Sequence, residues 1–559
     1  MRERIVELGL VTVLAVALGT ELLSAAHWLG RPAVMALWVA IAAMWAIGLR
    51  RQKWDFGWEW LPVAGVWAIE GLTALVSPPN SSDAMAYHMP RIIYWIQQHS
   101  VDNFATPYLN QIMLQPLHEY VVLHFQLLSN GDRFANCVAW VSTAGYVIAA
   151  SLVARALGAG VRGQGLAALC AATLPNGIMQ ASGVKNEALL SFLLSSMVYF
   201  CLQKRRWAVG AACALACFTK GTAYLFCAPL ILLLLPKALP QVALLLLIVN
   251  GAFYWRNIDL SGSPLGFDSA QADGKYRWRN EYLSWQPLAS NVMRHLSEQL
   301  GARDEAWNQR VFQTTVGVHG ALGLGVNDPA MTWPYTEFVA PRLANHETDS
   351  NNRWQLLLLG LCVLYFGWRR EKLPLLIVGG MAVGVLAFCF YLKWQPFMSR
   401  MWLPLFSVGM SVVGLALGRV AWPLQAVVAV FLLSGSRLPL MQNWVRPLRG
   451  PATLFTLSRE DLYYQDMRQW PVRKQYDEVV RELRGSACRE IAMDINQFQL
   501  EYPVQSLLLR EHPETRFVHV NTQNPSRKYE GRMAAVKPCV QVCLACDRWL
   551  ELTLDQRLP

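Results

Sequence analysis

Long apolar stretches separated by short polar ones recur along most of the chain. Many of them approach the roughly 20 residues that a helix needs to cross the hydrocarbon core of a bilayer. Backbone groups in that environment must be satisfied within their own segment, so each stretch is predicted to be a helix. We predict thirteen spans, at residues 5–28, 33–50, 58–77, 134–156, 163–180, 187–203, 207–219, 222–236, 239–255, 354–369, 374–393, 400–418 and 421–440.

The composition supports an integral membrane protein. Of the 559 residues, 54% are hydrophobic and only 16% are charged, whereas a soluble protein of this length has roughly 25% charged residues. The first stretch is longer than the core of a cleavable signal and further spans follow it, so we interpret it as a retained span.

Clusters of basic residues beside the spans indicate the orientation. Three of them lie at residues 50–53, 204–206 and 369–372. A cytoplasmic N-terminus places all three in the cytoplasm, as the positive-inside rule requires, and an odd number of spans places the C-terminus outside. The net charge of +11 forms no basic stripe with interleaved aromatic residues, which excludes nucleic acid as a partner.

This orientation predicts three polar regions outside the membrane. Residues 78–133 contain two short helices with apolar faces, at 84–98 and 116–129, which would lie along the membrane surface. Residues 256–353 carry no pattern that assigns them. We therefore divide the chain into a membrane domain, residues 1–441, and an extracytoplasmic domain, residues 442–559.

The tail after residue 441 predicts a small α/β domain. Helical patterns at 474–484 and 502–510 alternate with strand patterns at 490–495, 516–521 and 539–544. Such alternation is typical of a parallel sheet. The predicted fold class is thus an all-α polytopic membrane protein with a small C-terminal α/β domain.

Eight of the twelve cysteines lie in or beside spans, and four lie in the tail: Cys488, Cys539, Cys543 and Cys546. One or two disulfides are favoured for the tail in an oxidising compartment. Free thiols and a zinc site remain alternatives, and the spacing does not fix which cysteines pair.

The segment 81–91 groups several residues that could perform chemistry at the membrane surface. If a helix starts at Asp83, then Asp83, Tyr87 and Arg91 lie on one face of it. His88 belongs to the same segment. The structural alternative for Asp83 is a helix N-cap, a common role for Asp after two serines.

Several short motifs follow this segment in a fixed order. They lie at residues 83–91, 115–120, 185–187, 218–221, 255–266 and 399–404. Together they resemble motifs of GT-C superfamily glycosyltransferases, in the bacterial branch related to protein O-mannosyltransferases and lipid A aminoarabinose transferases. The resemblance implies a bacterial plasma membrane enzyme that takes a sugar from a polyprenyl-phosphate carrier. The acceptor would be a glycan, a lipid or a protein at the outer face.

In that family an Asp of the first outer loop is the catalytic base, and the matching residue here is Asp83. The aminoarabinose transferases also have a Glu-Lys pair that contacts a metal. This chain has Leu114 and Gln115 at that point. A divalent metal is therefore disfavoured there, and the resemblance implies no certain cofactor.

Glycosyl transfer also needs cations for the departing phosphate and a pocket for sugar or acceptor. For the phosphate we select Lys220 and Arg400, at outer ends of spans, and then Arg91 and Arg256; for the pocket we select Tyr87, His88, Glu119 and Glu187. Lys220 could instead snorkel to the interface and Arg400 could be an interfacial anchor. Glu187 could simply favour a helix N-terminus.

Two other functions remain open. A transporter or flippase of lipid-linked saccharides would also have many spans, but such folds often show internal repeats, and none is apparent. An O-antigen ligase or polymerase would use a lipid-diphosphate donor and paired outer arginines, for which Arg256 and Arg400 are candidates. For the transferase, one carboxylate and a phosphate leaving group predict a single displacement with inversion.

Overall fold

The computed structural model describes residues 1–467, 473–496, 499–543 and 553–555. The chain is a multi-pass membrane protein, and helices occupy all thirteen segments predicted as spans. Up to the last of these, the helices are α1 (Arg2–Ala25), α2 (Arg31–Leu49), α3 (Leu61–Val76), α4 (Met89–Gln98), α5 (Asn110–Met113), α6 (Leu117–Ser129), α7 (Cys137–Ala156), α8 (Val161–Ala172), α9 (Pro175–Gln180), α10 (Glu187–Leu202), α11 (Arg206–Thr219), α12 (Thr222–Leu234), α13 (Leu239–Ser261), α14 (Trp285–Gln299), α15 (Glu305–Ala321), α16 (Arg353–Arg369), α17 (Lys372–Tyr391), α18 (Leu403–Leu417), α19 (Trp422–Gly435) and α20 (Arg437–Met441).

Eight helical segments in the described part of the chain are long and apolar enough to cross a membrane, and α10, α11 and α12 are shorter apolar helices. Two predicted spans are each divided into two helices: residues 163–180 into α8 and α9, and residues 421–440 into α19 and α20. The span predicted at 163–180 divides into α8 and α9 at Pro175, because a proline disfavours helical backbone in the residue before it. This break places the turn at 181–186 directly before α10.

Small residues allow α8 and α18 to approach closely in the centre of the bundle. A Cβ added at Gly414 would lie 2.5 Å from the Cα of Ala167, and one added at Gly418 would lie 2.8 Å from the Cα of Gly163. Small residues of this kind are typical of helix contacts in membranes, where close packing replaces the hydrophobic effect.

Residues 78–133, the first of the regions predicted to lie outside the membrane and called here the first outer region, contain the two helices expected from the sequence. The first begins with a π-helical turn, Ala84–His88, and continues as α4, while the second is α6. The second outer region, which the sequence left unassigned, contains α14 and α15. Short 3-10 turns occur at Trp58–Trp60, Pro236–Ala238, Ser399–Trp402 and Pro525–Met533.

The tail contains the predicted α/β unit. Its helices are α21 (Arg459–Tyr463), α22 (Arg473–Gly485) and α23 (Tyr502–Glu511), and its strands are β1 (Glu490–Asp494), β2 (Arg516–His519), β3 (Val540–Cys543) and β4 (Thr553–Asp555). The strand order is β2-β1-β3-β4. The three predicted strands are parallel, and β4, which was not predicted, pairs antiparallel with β3.

A disulfide joins Cys488 to Cys539, so the prediction of a tail disulfide is confirmed and one pair is assigned. Cys546 lies outside the described residues. The eight cysteines in or near the membrane helices are free and buried.

The tail domain packs directly on the first outer region. The side-chain amide of Gln97 in α4 donates to the carbonyl of Phe517 and accepts from its N–H, both at 2.9 Å. Glu501 is fully buried, accepts from Tyr94 and lies 3.1 Å from His519. Residues of the first outer region are therefore held between the membrane helices and the tail.

Candidate active site

Five charged side chains from separate parts of the chain meet beside the first outer loop. Nη1 of Arg400 lies 2.7 Å from Oδ2 of Asp83, and Nζ of Lys185 lies 3.5 Å from the same oxygen. Nε of Arg400 lies 3.3 Å from Oε1 of Glu187, to which Lys220 donates at 2.8 Å. The structure thus brings together Asp83, Glu187, Lys220 and Arg400, which the sequence selected, and adds Lys185.

Interruptions of helices place each of these side chains. Asp83 precedes the π-helical turn and makes no side-chain capping bond there, so it does not act as the N-cap that the sequence allowed. Lys220 has extended backbone between α11 and α12, and Arg400 belongs to the 3-10 turn before α18. Glu187 begins α10 after the break at α9.

Solvent exposure distinguishes the acidic groups. The side chain of Asp83 is 29% exposed, whereas that of Glu187 is 1% exposed. Among the cations, Lys220 is 17% exposed and Arg400 7%. Asp83 and Lys220 are therefore the most accessible carboxylate and cation of the site, Arg400 keeps a small exposed fraction, and Glu187 is closed to solvent.

The electrostatic environment keeps Asp83 ionised. Burial by itself would raise the pKa of the Asp83 carboxyl, but Arg400 and then Lys185 lower it by more. The net result is a pKa well below the ordinary value of an aspartate. Opposite charges this close favour the charged form of a carboxyl group.

Two tyrosines lie next to Asp83. Tyr87 contacts Tyr108 edge to face, with ring centroids 5.9 Å apart. Burial raises the pKa of each phenol, and the nearby Asp83 carboxylate raises it further. Tyr87 was a predicted pocket residue, while Tyr108, on the irregular stretch before α5, was not selected from the sequence.

His88, Arg91 and Glu119 form a second, buried cluster. His88 Nδ1 lies 2.7 Å from Glu119 Oε1, and Arg91 donates to the same oxygen at 3.3 Å. Burial would raise the pKa of Glu119, but His88 and then Arg91 lower it to about 2. The guanidinium of Arg91 also lies over the Trp95 ring, 4.5 Å from its centroid.

Among the described residues no ion pair joins Arg91 to Asp83, so the predicted spacing along one helix face does not bring these two charges together. The guanidinium group of Arg91 instead donates to Glu119 and to the backbone carbonyl of Leu114.

No family model and no curated protein matches the chain. Among solved structures it matches the crystal structure of ArnT from Cupriavidus metallidurans bound to undecaprenyl phosphate. The match covers 89% of this chain and 98% of that one, with a TM-score of 0.50 and 12% sequence identity. The chain has the fold of ArnT. The fold class expected from the sequence is thereby confirmed.

Within this ArnT fold, two residues of the site were not foreseen from the sequence. Glu347 is fully buried, with Lys185 Nζ 2.6 Å from its carboxylate. Arg446, also fully buried, pairs with the other oxygen of Glu347 and donates to Asn80 at 3.1 Å. Both lie in polar stretches without a periodic pattern, where no signal in the sequence marks one charged residue above the others.

These residues complete one network of ion pairs. It contains three carboxylates and four cations among the described residues, an excess of one positive charge: Asp83, Glu187 and Glu347 against Lys185, Lys220, Arg400 and Arg446. We call this set the charged network. A site of this composition is suited to a ligand with a single negative charge.

Arg256 lies outside the charged network. It donates to both carboxylate oxygens of Glu21, at 2.6 and 2.7 Å, and to the Tyr120 hydroxyl at 3.0 Å. Asn257 and the residues up to Ser261 continue α13, so Arg256 is in a helix rather than at the start of an outer loop. Its charge is matched within the protein.

Two uncharged residues, Leu114 and Gln115, stand where the aminoarabinose transferases have a Glu-Lys pair that contacts a metal. The amide of Gln115 lies against Gly221, whose Cβ, if present, would be 3.5 Å from Gln115 Nε2. His118 is buried, and burial lowers the pKa of its imidazole to about 4. Among the described residues no three His, Cys, Asp or Glu side chains are grouped in a way that would hold a metal ion.

Proposed function

We propose that the protein is an inverting glycosyltransferase of the outer face of the bacterial plasma membrane. It would move a sugar from a polyprenyl-phosphate carrier to a hydroxyl of a glycan, lipid or protein acceptor. The observation that carries the proposal is the pairing of one accessible carboxylate, Asp83, with the buried cation Arg400 in the charged network. The fold supports it, because the similar ArnT structure is bound to undecaprenyl phosphate.

The donor phosphate would bind at Lys220 and Arg400. Charge-assisted hydrogen bonds from such cations to phosphate oxygens are short and strong. A polyprenyl-phosphate sugar is a phosphodiester with one negative charge, which matches the positive excess of the charged network. Glu187 would orient both cations, since it contacts each of them and is itself closed to solvent.

Asp83 would remove the proton of the acceptor hydroxyl. The bond between the acceptor oxygen and the anomeric carbon would form as the bond from that carbon to the phosphate oxygen breaks. The proton would pass to Asp83, and polyprenyl phosphate would leave with one more negative charge. Donor phosphate at Arg400 and Lys220 would also reduce the positive field on Asp83 and raise its pKa, which makes it a better base.

Inversion follows from the number of accessible carboxylates. Retaining glycosidases use a second carboxyl group as nucleophile, and a retaining transferase that worked in the same way would need one beside the base. Glu187 and Glu347, the other two acids of the charged network, are 1% and 0% exposed and are bound to cations. Asp83 would therefore act alone, in a single displacement.

The proposed sidedness has independent support. The Cys488–Cys539 disulfide is the kind of bond that persists in an oxidising compartment, outside the cytoplasm. The basic clusters at residues 50–53, 204–206 and 369–372 favour the cytoplasmic side for the opposite face.

One argument for the alternative function, an O-antigen ligase or polymerase that uses a lipid-diphosphate donor, no longer holds. It relied on Arg256 and Arg400 as a pair of free outer arginines, but Arg256 is bound to Glu21 and Tyr120. Arg91, the other weaker phosphate candidate, is bound to Glu119. We therefore assign neither Arg91 nor Arg256 to the donor site.

The test is a deletion strain complemented with the wild-type gene or with Asp83→Asn. Mass spectrometry of the lipid carriers and surface glycans should show that the variant strain accumulates a polyprenyl-monophosphate sugar and lacks that sugar on one glycan, lipid or protein. Accumulation of a diphosphate-linked saccharide instead would support the ligase or polymerase. Unchanged carriers and glycans in the deletion strain would refute the proposal.

A further inference from the structure

A cavity of about 820 Å³ lies apart from the charged network, where the second outer region meets the ends of membrane helices. Its walls come from the start of α16, the ends of α19 and α20, and the loop segments around Ala302 and Leu343. None of the seven residues of the charged network lines it. Its volume is in the range of roughly 300–1,000 Å³ that small-molecule sites occupy.

Four arginines line this cavity: Arg303, Arg353, Arg437 and Arg449. Across residues 1–467, 473–496, 499–543 and 553–555, none of their guanidinium groups has a carboxylate within ion-pair distance, unlike those of Arg91, Arg256 and Arg400. The one acid of the lining, Asp304, accepts the N–H of Trp307 as the N-cap of α15. The cavity therefore has an unbalanced positive charge.

This concentration of charge is unusual for its side of the membrane. The proposed orientation places the cavity outside, where Lys and Arg are scarce beside spans. Four guanidinium groups around one cavity produce a positive potential that favours an anion between them. Their planar donor groups suit the oxygens of a phosphate or carboxylate.

One wall of the cavity is apolar and continues onto the membrane helices. Trp354 of α16 and Phe431 of α19 contact each other edge to face, with centroids 4.8 Å apart. Leu432 and Leu438 complete this wall. Below it, α16 and α19 expose further large apolar side chains, among them Leu357, Leu361, Val427 and Val430.

We infer that this cavity binds an anionic lipid of the membrane. Its phosphate-bearing head group would lie among Arg303, Arg353, Arg437 and Arg449, and its acyl chains would run along Trp354 and Phe431 towards the hydrocarbon core. A free anion would match the arginines but leave the apolar wall unused, which is why a lipid is the better occupant. The inference does not depend on the proposed transferase activity.

The cavity is nevertheless close to the charged network through one short segment. Asn351 lines the cavity, and its neighbour Ser350 accepts a hydrogen bond of 2.7 Å from Ser399, the residue before Arg400. A lipid in the cavity would thus rest against the segment that holds Arg400 in place.

Native mass spectrometry of the purified full-length protein, titrated with phosphatidylglycerol or phosphatidylcholine, tests this inference. Wild type should retain phosphatidylglycerol in preference to phosphatidylcholine. Replacing Arg437 and Arg449 together by Gln should weaken phosphatidylglycerol binding about thirtyfold, since each basic side chain near a lipid surface contributes about 1 kcal/mol. The double variant at Arg303 and Arg353, from the other wall, should show the same loss.

The matched control replaces Arg310 and Arg510, two exposed arginines outside the cavity, by Gln. It removes the same charge and should bind phosphatidylglycerol as wild type does. Equal loss in the control and the cavity variants would overturn the inference, as would unchanged binding in both cavity variants. Displacement of the lipid by equimolar inorganic phosphate would also overturn it, because the site would then recognise a free anion.

Discussion

One guanidinium group, that of Arg400, lies between the two carboxylates of the candidate site. Nη1 is 2.7 Å from Asp83 and Nε is 3.3 Å from Glu187. Arg400 thereby connects an accessible acid to a buried one, and the side chain is only 7% exposed. Any ligand that contacts Arg400 also changes the field felt by Asp83.

Replacing Arg400 by Lys tests whether the site needs the planar shape of the guanidinium group as well as its positive charge. An ammonium group keeps the positive charge but cannot reach both acids through separate nitrogens of a planar group. We expect turnover to fall about 10- to 100-fold, with the protein still folded. Steady-state kinetics with a polyprenyl-phosphate sugar measures this, and wild-type turnover in Arg400→Lys would show that the two-sided contact is unimportant.

Lys220 is the more exposed cation, so its loss should affect donor binding most. Replacing it by Gln removes a charge-assisted contact to the donor phosphate, typically about 1.5–3 kcal/mol. The apparent affinity for the donor should fall about tenfold or more, with a smaller change at saturating donor. Lys237, in the short turn at the opposite end of α12, provides the control, and Lys237→Gln should leave donor affinity unchanged.

Arg91 has a structural role in this account. Replacing it by Gln leaves Glu119, which is fully buried, with the His88 imidazole as its remaining partner in this cluster. Removing one member of a buried ion pair typically costs about 3–5 kcal/mol, so the midpoint of thermal unfolding should drop clearly. The double variant Arg91→Gln and Glu119→Gln should recover part of the loss. If an Arg91 variant had normal stability but weakened donor binding, Arg91 would have to be assigned to the donor site instead.

The lowered pKa of Glu119 makes a prediction about acid stability. Its folded value of about 2 lies below the ordinary 4.5, so the folded state favours the ionised form. This stabilisation is fully present above pH 4.5 and is lost as pH falls from about 4.5 to about 2. Thermal unfolding of Glu119→Gln in detergent should therefore be less sensitive to acid in that window than unfolding of wild type. An identical acid dependence in both proteins would contradict the assignment.

The architecture was predictable because the pattern of apolar runs along the chain dictates it. A run of apolar residues near the length of a bilayer must be helical, and all thirteen such runs are helices. The parallel strands of the tail followed from alternating helix and strand patterns. The antiparallel strand β4 did not, since Thr553–Asp555 is too short to leave a pattern.

The site was predictable only in part. Asp83, Glu187, Lys220 and Arg400 interrupt or flank apolar helices, which makes a charge conspicuous. Glu347 and Arg446 lie in polar stretches, where a charge is ordinary.

The partner of Arg91 was not predictable from the sequence. Spacing along a helix indicates which side chains can share a face, but Glu119 belongs to another helix, α6. Its position beside Arg91 depends on how the two helices pack in the folded protein.

Turnover of purified Asp83→Asn with a polyprenyl-phosphate sugar tests the central claim most directly. Loss of the base should lower the rate by about 10²–10⁴, while the unfolding midpoint stays close to that of wild type. The control Asp102→Asn alters another acid of the same loop, outside the charged network, and should keep wild-type turnover. Full activity in folded Asp83→Asn would contradict the account.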